Sequence, residues 1–447
     1  MLLPLGDVVA ATGAELIEAP GAPAPAAVDG ASIDSRRVAP GQLFVAVIAE
    51  RDGHEFLAGA AARGAAAGLV SRPVEVADCP MAQLVVDDTV VALGRLGGLA
   101  RDRIEGAVIG ITGSVGKTSV KDLLAAICGG AGVTTASARS LNNEMGVPLT
   151  LINAAPGTER TIVEMGARGT GHIAYLCGIA RPTIGIVTTV AEAHTEMFGS
   201  IDGVAAAKSE LIAALPASGT AILNAEVPLV AAMASVATGD VITFGNGGDV
   251  RATAVRLDAD LHAHFTLSSP WGSAEISLGV RGEHNVANAL AAAAAGLVSG
   301  VSMDHVVAGL AAAELSPSRM DLSRLASGGI VLNDAYNANP ASMLAGLRAL
   351  AALDVGRRVA VLGLMAELGD DAAARHSEMA EVAAGLDIEV VAVGTDLYGI
   401  VPLTDADEVL ARIAPPVDGE AVLLKGSRIA GLDRVARAWL PAGSPPG

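Results

Sequence analysis

The stretch GITGSVGKTS, residues 110–119, follows an apolar run at residues 107–109 and precedes a segment with the composition of a helix. A strand, a glycine-rich turn and a helix in this order are typical of the phosphate-binding loop of α/β proteins. The strict form of that loop has a glycine five positions before the last one, where this sequence has Ile111. The stretch is therefore a spaced variant of the pattern, and an ordinary glycine-rich turn is its simpler interpretation.

The side chains of this turn suit a nucleotide phosphate. Gly113 and Gly116 permit unusual φ angles, so consecutive N–H groups can point at phosphate oxygens. Lys117 supplies a cation, Thr118 offers a hydroxyl to Mg²⁺, and the start of the helix adds a positive dipole end. We therefore predict that a nucleotide binds the loop formed by Gly113, Ser114, Val115, Gly116, Lys117, Thr118 and Ser119.

Strand and helix patterns alternate on the carboxyl-terminal side of the loop. Strands are predicted at Gly106–Thr112, Arg160–Glu164, Thr183–Thr189 and Thr220–Leu223, with helices at Lys117–Cys128, Val204–Ala214 and Asn285–Leu297. This alternation predicts an α/β unit with a mostly parallel sheet and crossover helices. Within it, polar and apolar residues alternate between positions 250 and 278, which indicates added antiparallel strands.

Two further α/β units flank this one. Residues 1–86 combine short apolar segments with an Ala-rich helix at Phe56–Ala67, which predicts a small amino-terminal domain. A Ser-Pro-Ser interruption within Glu314–Met320 predicts a linker. Strands then follow near Ile330–Asp334, Val359–Leu364, Glu389–Val393 and Ala421–Leu424, as in a Rossmann-like unit. We therefore predict three domains, at 1–86, 87–314 and 315–447.

Composition limits the partners and the compartment. The chain has 48 acidic and 29 basic residues, a formal charge of −19 and no basic block, so nucleic acid is not an expected partner. Cys79, Cys128 and Cys177 have no metal-like spacing and are predicted to be buried thiols in a reducing cytoplasm. The Ala-rich run at 287–298 is too short to span a bilayer, and the start has no secretory pattern. We expect a cytoplasmic protein without membrane insertion.

Two side chains are candidates for holding a divalent ion. Glu164 ends one apolar strand, and His194 follows the next. In open parallel sheets, ligands bind at the carboxyl ends of the strands. Taken singly, Glu164 is explained as a strand-end surface charge and His194 as a loop histidine. Their matching positions after consecutive strands favour a shared metal site.

Several strings, in this order, resemble one family, the Mur ligases, which are ATP-dependent amide-forming enzymes of peptidoglycan precursor synthesis. They are GITGSVGKTSVKDLL, LNNEMGVPLTL, VEMGARGTGHI, AHTEMFGS, AAKSELI, RGEHNVANALAA, NDAYNANPASM and LLKGSRIAGLDRV. The strings, together with DSRRVAPGQLFVAVIAERDGHEF at 34–56, are most similar to the member that joins D-alanyl-D-alanine to UDP-N-acetylmuramoyl-tripeptide. The resemblance implies one domain each for the UDP-sugar, ATP and the incoming amine, and a monomer.

The resemblance also implies a two-metal ATP site. Thr118 and Glu164 would bind one Mg²⁺, and His194 and Lys208 a second. The lysine is typically carbamylated in this family, which turns a cation into an anionic oxygen ligand that suits Mg²⁺. Lys117, Glu164, His194 and Lys208 would be the catalytic residues. From the residues alone, Lys208 is a helix-surface lysine.

Further roles follow from the same resemblance. The nucleotide would contact Asn285, Asn288, Arg319 and Asp334, although Arg319 can also be a linker charge and Asp334 a strand-end cap. The substrates would contact Ser35, Arg36, Asn142, Asn143, Tyr336, Asn337, Asn339, Glu367, His376, Lys425 and Ser427. For His376, and for Arg428 next to Ser427, a surface-loop interpretation is equally good.

The expected reaction forms an acyl phosphate from the tripeptide carboxylate and ATP, and the dipeptide amine then displaces phosphate. Other amide ligases of the family stay open as alternatives, although the Asp-Asn-Pro-Arg string of the diaminopimelate-adding member is absent. A nucleotide-binding homologue without catalysis, a specialised copy in a secondary pathway, and diaminopimelate or lysine as the third tripeptide residue also stay open.

Overall fold

The computed structural model describes residues 1–19, 23–75, 81–138, 141–191 and 198–440. Two residues singled out from the sequence, Cys79 and His194, lie outside these ranges. The mixed α/β class predicted from the sequence is confirmed, with parallel strands in three separate sheets.

The phosphate-loop stretch lies in a six-stranded parallel sheet. Its order is β13-β12-β11-β8-β10-β9, so the strand before the loop, β8, is central. The strands are β8 Ala107–Thr112, β9 Thr134–Ala136, β10 Arg160–Glu164, β11 Ile184–Val187, β12 Thr220–Asn224 and β13 Asp240–Phe244. The helices that follow them are α4 Lys117–Ala131, α5 Gly146–Ile152, α6 His172–Ala180, α7 Ile201–Ala213 and α8 Pro228–Ala231. Because β8, β10 and β11 are neighbours, the residues at their carboxyl ends share one edge.

An antiparallel sheet and two helices complete this part of the chain. The strands are β14 Arg251–Leu257, β15 His262–Ser269 and β16 Gly272–Arg281, followed by α9 Asn285–Val298 and α10 Met303–Ala312. The antiparallel pairing confirms the prediction made from alternation. Helix α9 is buried along its length, with Ala291–Ala295 wholly inaccessible, which confirms that the Ala-rich run is a core helix.

The amino-terminal part contains a five-stranded sheet of order β2-β7-β6-β5-β4 and a short β1–β3 pair. The elements are β1 Leu2–Pro4, α1 Leu5–Thr12, β2 Glu15–Ile17, β3 Ala27–Asp29, β4 Ala31–Ser32, β5 Leu43–Val45, α2 Leu57–Ala62, β6 Ala67–Val70, β7 Ala82–Val85 and α3 Thr89–Arg101. The predicted helix at 56–67 is too long, because Gly64 takes a φ of +91° and turns the chain into β6.

The carboxyl-terminal part is a second α/β unit. Its sheet has the order β17-β18-β21-β19-β20, with only β17 antiparallel. The elements are β17 Asp321–Arg324, β18 Ile330–Asn333, α11 Pro340–Ala351, β19 Arg357–Leu362, α12 Ala372–Gly385, β20 Glu389–Ala392, α13 Ala406–Arg412, β21 Glu420–Lys425 and α14 Leu432–Trp439. As a result, the carboxyl ends of β18 and β21 lie side by side.

One hydrophobic core joins the amino-terminal sheet to the central one. It contains Leu43 and Leu69 of the first sheet, Leu93 of α3, and Val163 and Val187 of the second. The carboxyl-terminal sheet has its own clusters on its two faces. The borders at 86 and 314 stay a prediction.

Two smaller predictions concern thiols and membranes. Cys128 and Cys177 are buried and free, as the sequence indicated. Across the described ranges, none of the helices combines the length and apolarity needed to cross a bilayer.

Candidate active site

A cleft of about 650 Å³ lies between the carboxyl edge of the central sheet and the carboxyl edge of the last sheet. One wall is the phosphate-loop stretch with the ends of β10, β11 and β12, and the other is the chain after β18 and the end of β21. This is the edge at which open α/β sheets bind ligands. The residues predicted to hold ATP and those predicted for the incoming amine therefore face one common space.

The turn after β8 requires its glycines. Gly116 has a φ of +87° and Gly113 a φ of +147°, both in the range that L side chains rarely adopt. A Cβ atom on Gly116 would lie 2.5 Å from Asn288 Oδ1, and one on Gly113 would overlap Thr188 Oγ1. A side chain at either position would collide with a neighbouring atom, so the observed turn requires glycine at both.

Lys117 is held inside this turn. Its Nζ donates to the carbonyl oxygens of Gly113 at 2.7 Å and Ser114 at 3.4 Å. Loss of hydration lowers the pKa of Lys117, and the carboxylate of Glu164 partly opposes that shift. The loop is also tied to the end of β11, because Val115 N–H donates to Thr189 Oγ1 at 3.0 Å.

Glu164 is a buried carboxylate at the end of β10. Its Oε2 accepts from Thr118 Oγ1 at 2.9 Å, and its Oε1 accepts from Asn142 Nδ2 at 2.8 Å. Only 1% of the residue is exposed. A strand-end surface charge would face water, so the simpler interpretation of Glu164 is wrong. The carboxylate instead joins the helix after the phosphate loop to the segment before α5.

Lys208, on α7, is buried and has no hydrogen-bond or ion-pair partner within the described part of the chain. Burial, together with the charge of Lys117, lowers its pKa from 10.5 to about 7. The residue is 4% exposed, which contradicts the helix-surface interpretation. Among the described residues, no group of three or more His, Cys, Asp or Glu side chains could hold a metal ion by itself.

The start of α9 forms the floor beside the loop. Asn285 is inaccessible, and its Nδ2 donates to Arg281 O at 2.7 Å. Asn288 Nδ2 donates to Asn285 Oδ1 at 2.7 Å, which turns Asn288 Oδ1 toward Gly116. Asn288 thus lines the cleft directly, whereas Asn285 orients it.

The opposite wall carries an ion pair that the sequence did not reveal. Lys425 Nζ donates to Asp334 Oδ2 at 2.5 Å and to Asn337 O at 3.1 Å, and the lysine is only 1% exposed. Asn339 caps α11 by accepting from Ser342 N–H at 2.9 Å. Lys425 therefore shapes the loop after β18, in addition to lining the cleft as predicted for substrate contact.

Arg319 and Tyr336 also line this wall. The guanidinium of Arg319 lies over the Tyr336 ring, 4.1 Å from its centroid. Glu367 reaches the cleft from the loop after β19, where it has a φ of +67°. Through these three residues and the loop after β18, the linker and the last sheet line the cleft opposite the phosphate loop.

Several predicted residues lie away from the cleft. His376 is inaccessible, with Nε2 accepting from Met365 N–H at 2.9 Å and Nδ1 beside Ala372 O at 2.6 Å, so it is not a surface-loop histidine. Asn143 Oδ1 accepts from the N–H groups that start α5. Lys208, the predicted metal ligand, is not among the lining residues, and neither are Ser35, Arg36 and Ser427. The assignments of these residues to the metal and to substrates stay predictions.

Five polar lining residues were not predicted from the sequence, and one of them is Ser342, whose N–H donates to Asn339. Thr188 and Thr189 follow β11, and Asn224 ends β12 with its Nδ2 donating to Thr188 O at 2.9 Å. Polar residues directly after buried strands were the available signal. The fifth, His284, directly precedes α9, and loss of hydration lowers the pKa of its imidazole.

A compositional signal for Lys208 was also available. The sequence contains only four lysines, at 117, 121, 208 and 425, against 25 arginines. Lys121, Lys208 and Lys425 are each less than 5% exposed, and Lys117 is in the cleft. The few lysines thus occupy enclosed positions or the cleft, whereas arginine supplies the remaining basic side chains.

Comparisons with known proteins show the family of the chain. Residues 111–296 match the model of the Mur ligase middle domain, and residues 318–428 match that of the Mur ligase glutamate ligase domain. The UDP-N-acetylmuramoyl-tripeptide–D-alanyl-D-alanine ligase of Escherichia coli is 39% identical over 427 residues, which cover 92% of this chain and 93% of that relative. The chain belongs to the Mur ligase family.

Other Mur ligases extend the likeness. The enzyme of the same name from Mycobacterium tuberculosis is 41% identical over 462 residues, 91% of each chain. The crystal structure of MurF from Acinetobacter baumannii matches with a TM-score of 0.87 and 31% identity, covering 98% of this chain and 99% of that one. MurF ligase from Thermotoga maritima, solved in complex with ADP, matches with a TM-score of 0.78 and 26% identity, covering 92% and 97%.

Proposed function

We propose that this Mur ligase joins D-alanyl-D-alanine to UDP-N-acetylmuramoyl-tripeptide at the expense of ATP, as a monomer in cytoplasmic peptidoglycan precursor synthesis. The observation that carries the proposal is the single cleft shared by the phosphate loop, the buried Glu164 and the carboxyl edge of the last sheet. The names of the full-length relatives support the choice of substrates. Phosphate transfer and amide formation can therefore occur in one cleft.

In the first step, an oxygen of the tripeptide carboxylate attacks the γ-phosphorus of ATP. The bond between that phosphorus and the β,γ-bridging oxygen breaks, which gives an acyl phosphate and ADP. Lys117 exchanges its bonds to the Gly113 and Ser114 carbonyls for phosphate oxygens and balances their charge. The backbone N–H groups of the loop hold the phosphates in line.

In the second step, the neutral amine of D-alanyl-D-alanine attacks the acyl carbon. The tetrahedral intermediate releases phosphate, which carries away one oxygen of the original carboxylate, and the amine loses a proton. Closure of the last sheet onto the loop excludes water that would hydrolyse the acyl phosphate. The loop after β18, held by Lys425, contacts the linker, because Tyr336 N–H donates to Ser318 O at 3.2 Å.

Two residues that line the cleft suit one Mg²⁺ ion, and the family resemblance suggests ligands for a second. Glu164 and Thr118 would bind one ion, because a buried carboxylate and a hydroxyl, both oxygen ligands, are hydrogen-bonded to each other where α4 leaves the phosphate loop. A carbamylated Lys208 would serve the second together with His194, since an amine with a pKa of about 7 is substantially neutral at physiological pH and can add CO₂. When bound, the ions neutralise charge on the transferring phosphoryl group.

The test is substrate-dependent phosphate release by the purified protein. We expect ADP and phosphate in equal amounts only when UDP-muramoyl-tripeptide and D-alanyl-D-alanine are both present, with amide product in the same amount. Using the lysine and the diaminopimelate tripeptides in parallel identifies the natural third residue. ATP hydrolysis that ignores either substrate would refute the proposal, and phosphate release with glutamate or free diaminopimelate as amine would favour another ligase of the family.

A further inference from the structure

The linker between α10 and β17 adopts an unfavourable backbone conformation around Arg319. Ser318 and Met320 have φ angles of +62° and +57°, in the left-handed region that side chains other than glycine disfavour. Arg319 stands between them. Such a conformation persists only where neighbouring groups fix it, and it is concentrated at functional sites.

Two carboxylates fix this conformation. Asp321 Oδ2 accepts from Ser318 N–H at 2.7 Å, and Asp334 Oδ1 accepts from Met320 N–H at 3.3 Å. Each residue that flanks Arg319 therefore gives its N–H to one aspartate. Tyr336 N–H closes the turn by donating to Ser318 O at 3.2 Å.

The side chain that this turn presents still has an unpaired donor. Arg319 Nε is buried and has no hydrogen-bond partner within the described ranges, while the guanidinium lies over the Tyr336 ring and lines the cleft. The turn is also fixed relative to the phosphate loop. Ser316 N–H donates at 2.8 Å to Asp122 Oδ2, which lies on α4, the helix that starts at Lys117.

We propose that Asp321 is a positioning residue that holds Arg319 in the nucleotide cleft through its hydrogen bond to Ser318. The proposal rests on the proposed function, because the anion that Arg319 would meet is ATP. Asp321 acts through the linker backbone and does not itself line the cleft. Burial, together with the nearby Asp334 carboxylate, raises the pKa of the Asp321 carboxyl to about 6, and the Ser318 N–H and the guanidinium groups of Arg281 and Arg319 partly oppose that rise.

The test is a double-mutant cycle on the dissociation constant of ATP, measured by calorimetry without the other substrates. Asp321→Ala should weaken ATP binding by about fivefold or more, a typical coupling between residues of one network. In an Arg319→Ala background the same change should have an effect below about twofold. Asp321→Asn should bind nearly as well as wild type, because the amide oxygen can still accept from Ser318. Asp304→Ala, at an exposed position on α10, controls for the loss of an aspartate.

Equal losses from Asp321→Ala in both backgrounds would overturn the proposal, since the aspartate would then act independently of Arg319. A folded Asp321→Asn variant as weak as the alanine variant would also overturn it. If Asp321→Ala does not fold, Asp321→Val takes its place in the two backgrounds, because valine also cannot accept from Ser318 N–H and suits the start of strand β17. Wild-type protein that fails to bind ATP would contradict the proposed function instead, so the two failures are distinguishable.

Discussion

Replacing Lys208 by methionine should stabilise the fold while it abolishes ligation. The lysine is 4% exposed, and its pKa falls from 10.5 to about 7 on folding, chiefly through burial. At 1.36 kcal/mol per pKa unit, carrying this charge in the folded state costs about 5 kcal/mol below pH 7. A methionine side chain of similar length removes that cost.

The sign of the pH dependence follows from the same values. Because the folded pKa of Lys208 is depressed, the folded state carries the full penalty below pH 7, and the penalty shrinks as pH rises from about 7 to 10.5. In CO₂-depleted buffer, the stability advantage of Lys208→Met should be about 5 kcal/mol at pH 6 and about 2 kcal/mol at pH 9. Urea unfolding at the two pH values measures both differences.

Adding bicarbonate distinguishes the free amine of Lys208 from its carbamate. A carbamylated Lys208 would carry a negative charge beside Lys117, so bicarbonate at pH 8 should stabilise wild type and leave Lys208→Met unchanged. With only four lysines in the chain, [¹³C]bicarbonate should give a carbamate signal that is lost in this variant. A methionine variant that is less stable at pH 6, or an advantage that does not change with pH, would refute the reasoning.

Three further changes test the phosphate loop and the buried His376. Lys117→Ala should abolish ATP-dependent phosphate release without lowering the thermal midpoint, and retained turnover would contradict the phosphate-loop assignment. Gly116→Ala should lose about 1–2 kcal/mol of unfolding free energy and weaken ATP binding, because of its φ of +87° and the close Asn288. The matched Gly98→Ala, on α3 with no atom within 4 Å, should gain about 0.5 kcal/mol, and a loss of equal size at both sites would exclude the steric cause. His376→Ala should cost about 2–4 kcal/mol in urea unfolding at pH 7.5 and less at pH 5, because burial lowers the pKa of His376 below 6.5 and its stabilising contribution is lost as pH falls below that value.

The main strands and helices could be predicted because the spacing of their apolar residues and the turn residues at their ends indicate the same elements. Strand β10 has the predicted bounds, Arg160–Glu164, and helix α4 begins at the predicted Lys117. Helix α3, at 89–101, was missed although Asp88 caps it by accepting from two backbone N–H groups. The helix follows a short strand almost directly, so the strand–helix alternation gave no separate signal for it. Its apolar side chains pack in the core that the first two sheets share.

The sequence predicted which residues belong to the site better than it predicted how their side chains contact one another. Position after a strand sufficed to place Glu164 at the sheet edge. No local pattern could show that Lys425 pairs with Asp334, since the two lie 91 residues apart and meet only because β18 and β21 are neighbours. The burial of His376 likewise depends on its packing against Tyr398, 4.9 Å between ring centroids. Long-range pairing of polar groups is decided by topology.

The central claim is that the phosphate bound by the loop at 110–119 is transferred to a carboxylate. Tripeptide substrate labelled with ¹⁸O in its terminal carboxylate tests this directly when the released phosphate is analysed by mass spectrometry. We predict one carboxylate oxygen in each phosphate formed during ligation, because the acyl phosphate leaves with that atom. Unlabelled phosphate accompanying amide product would contradict the claim.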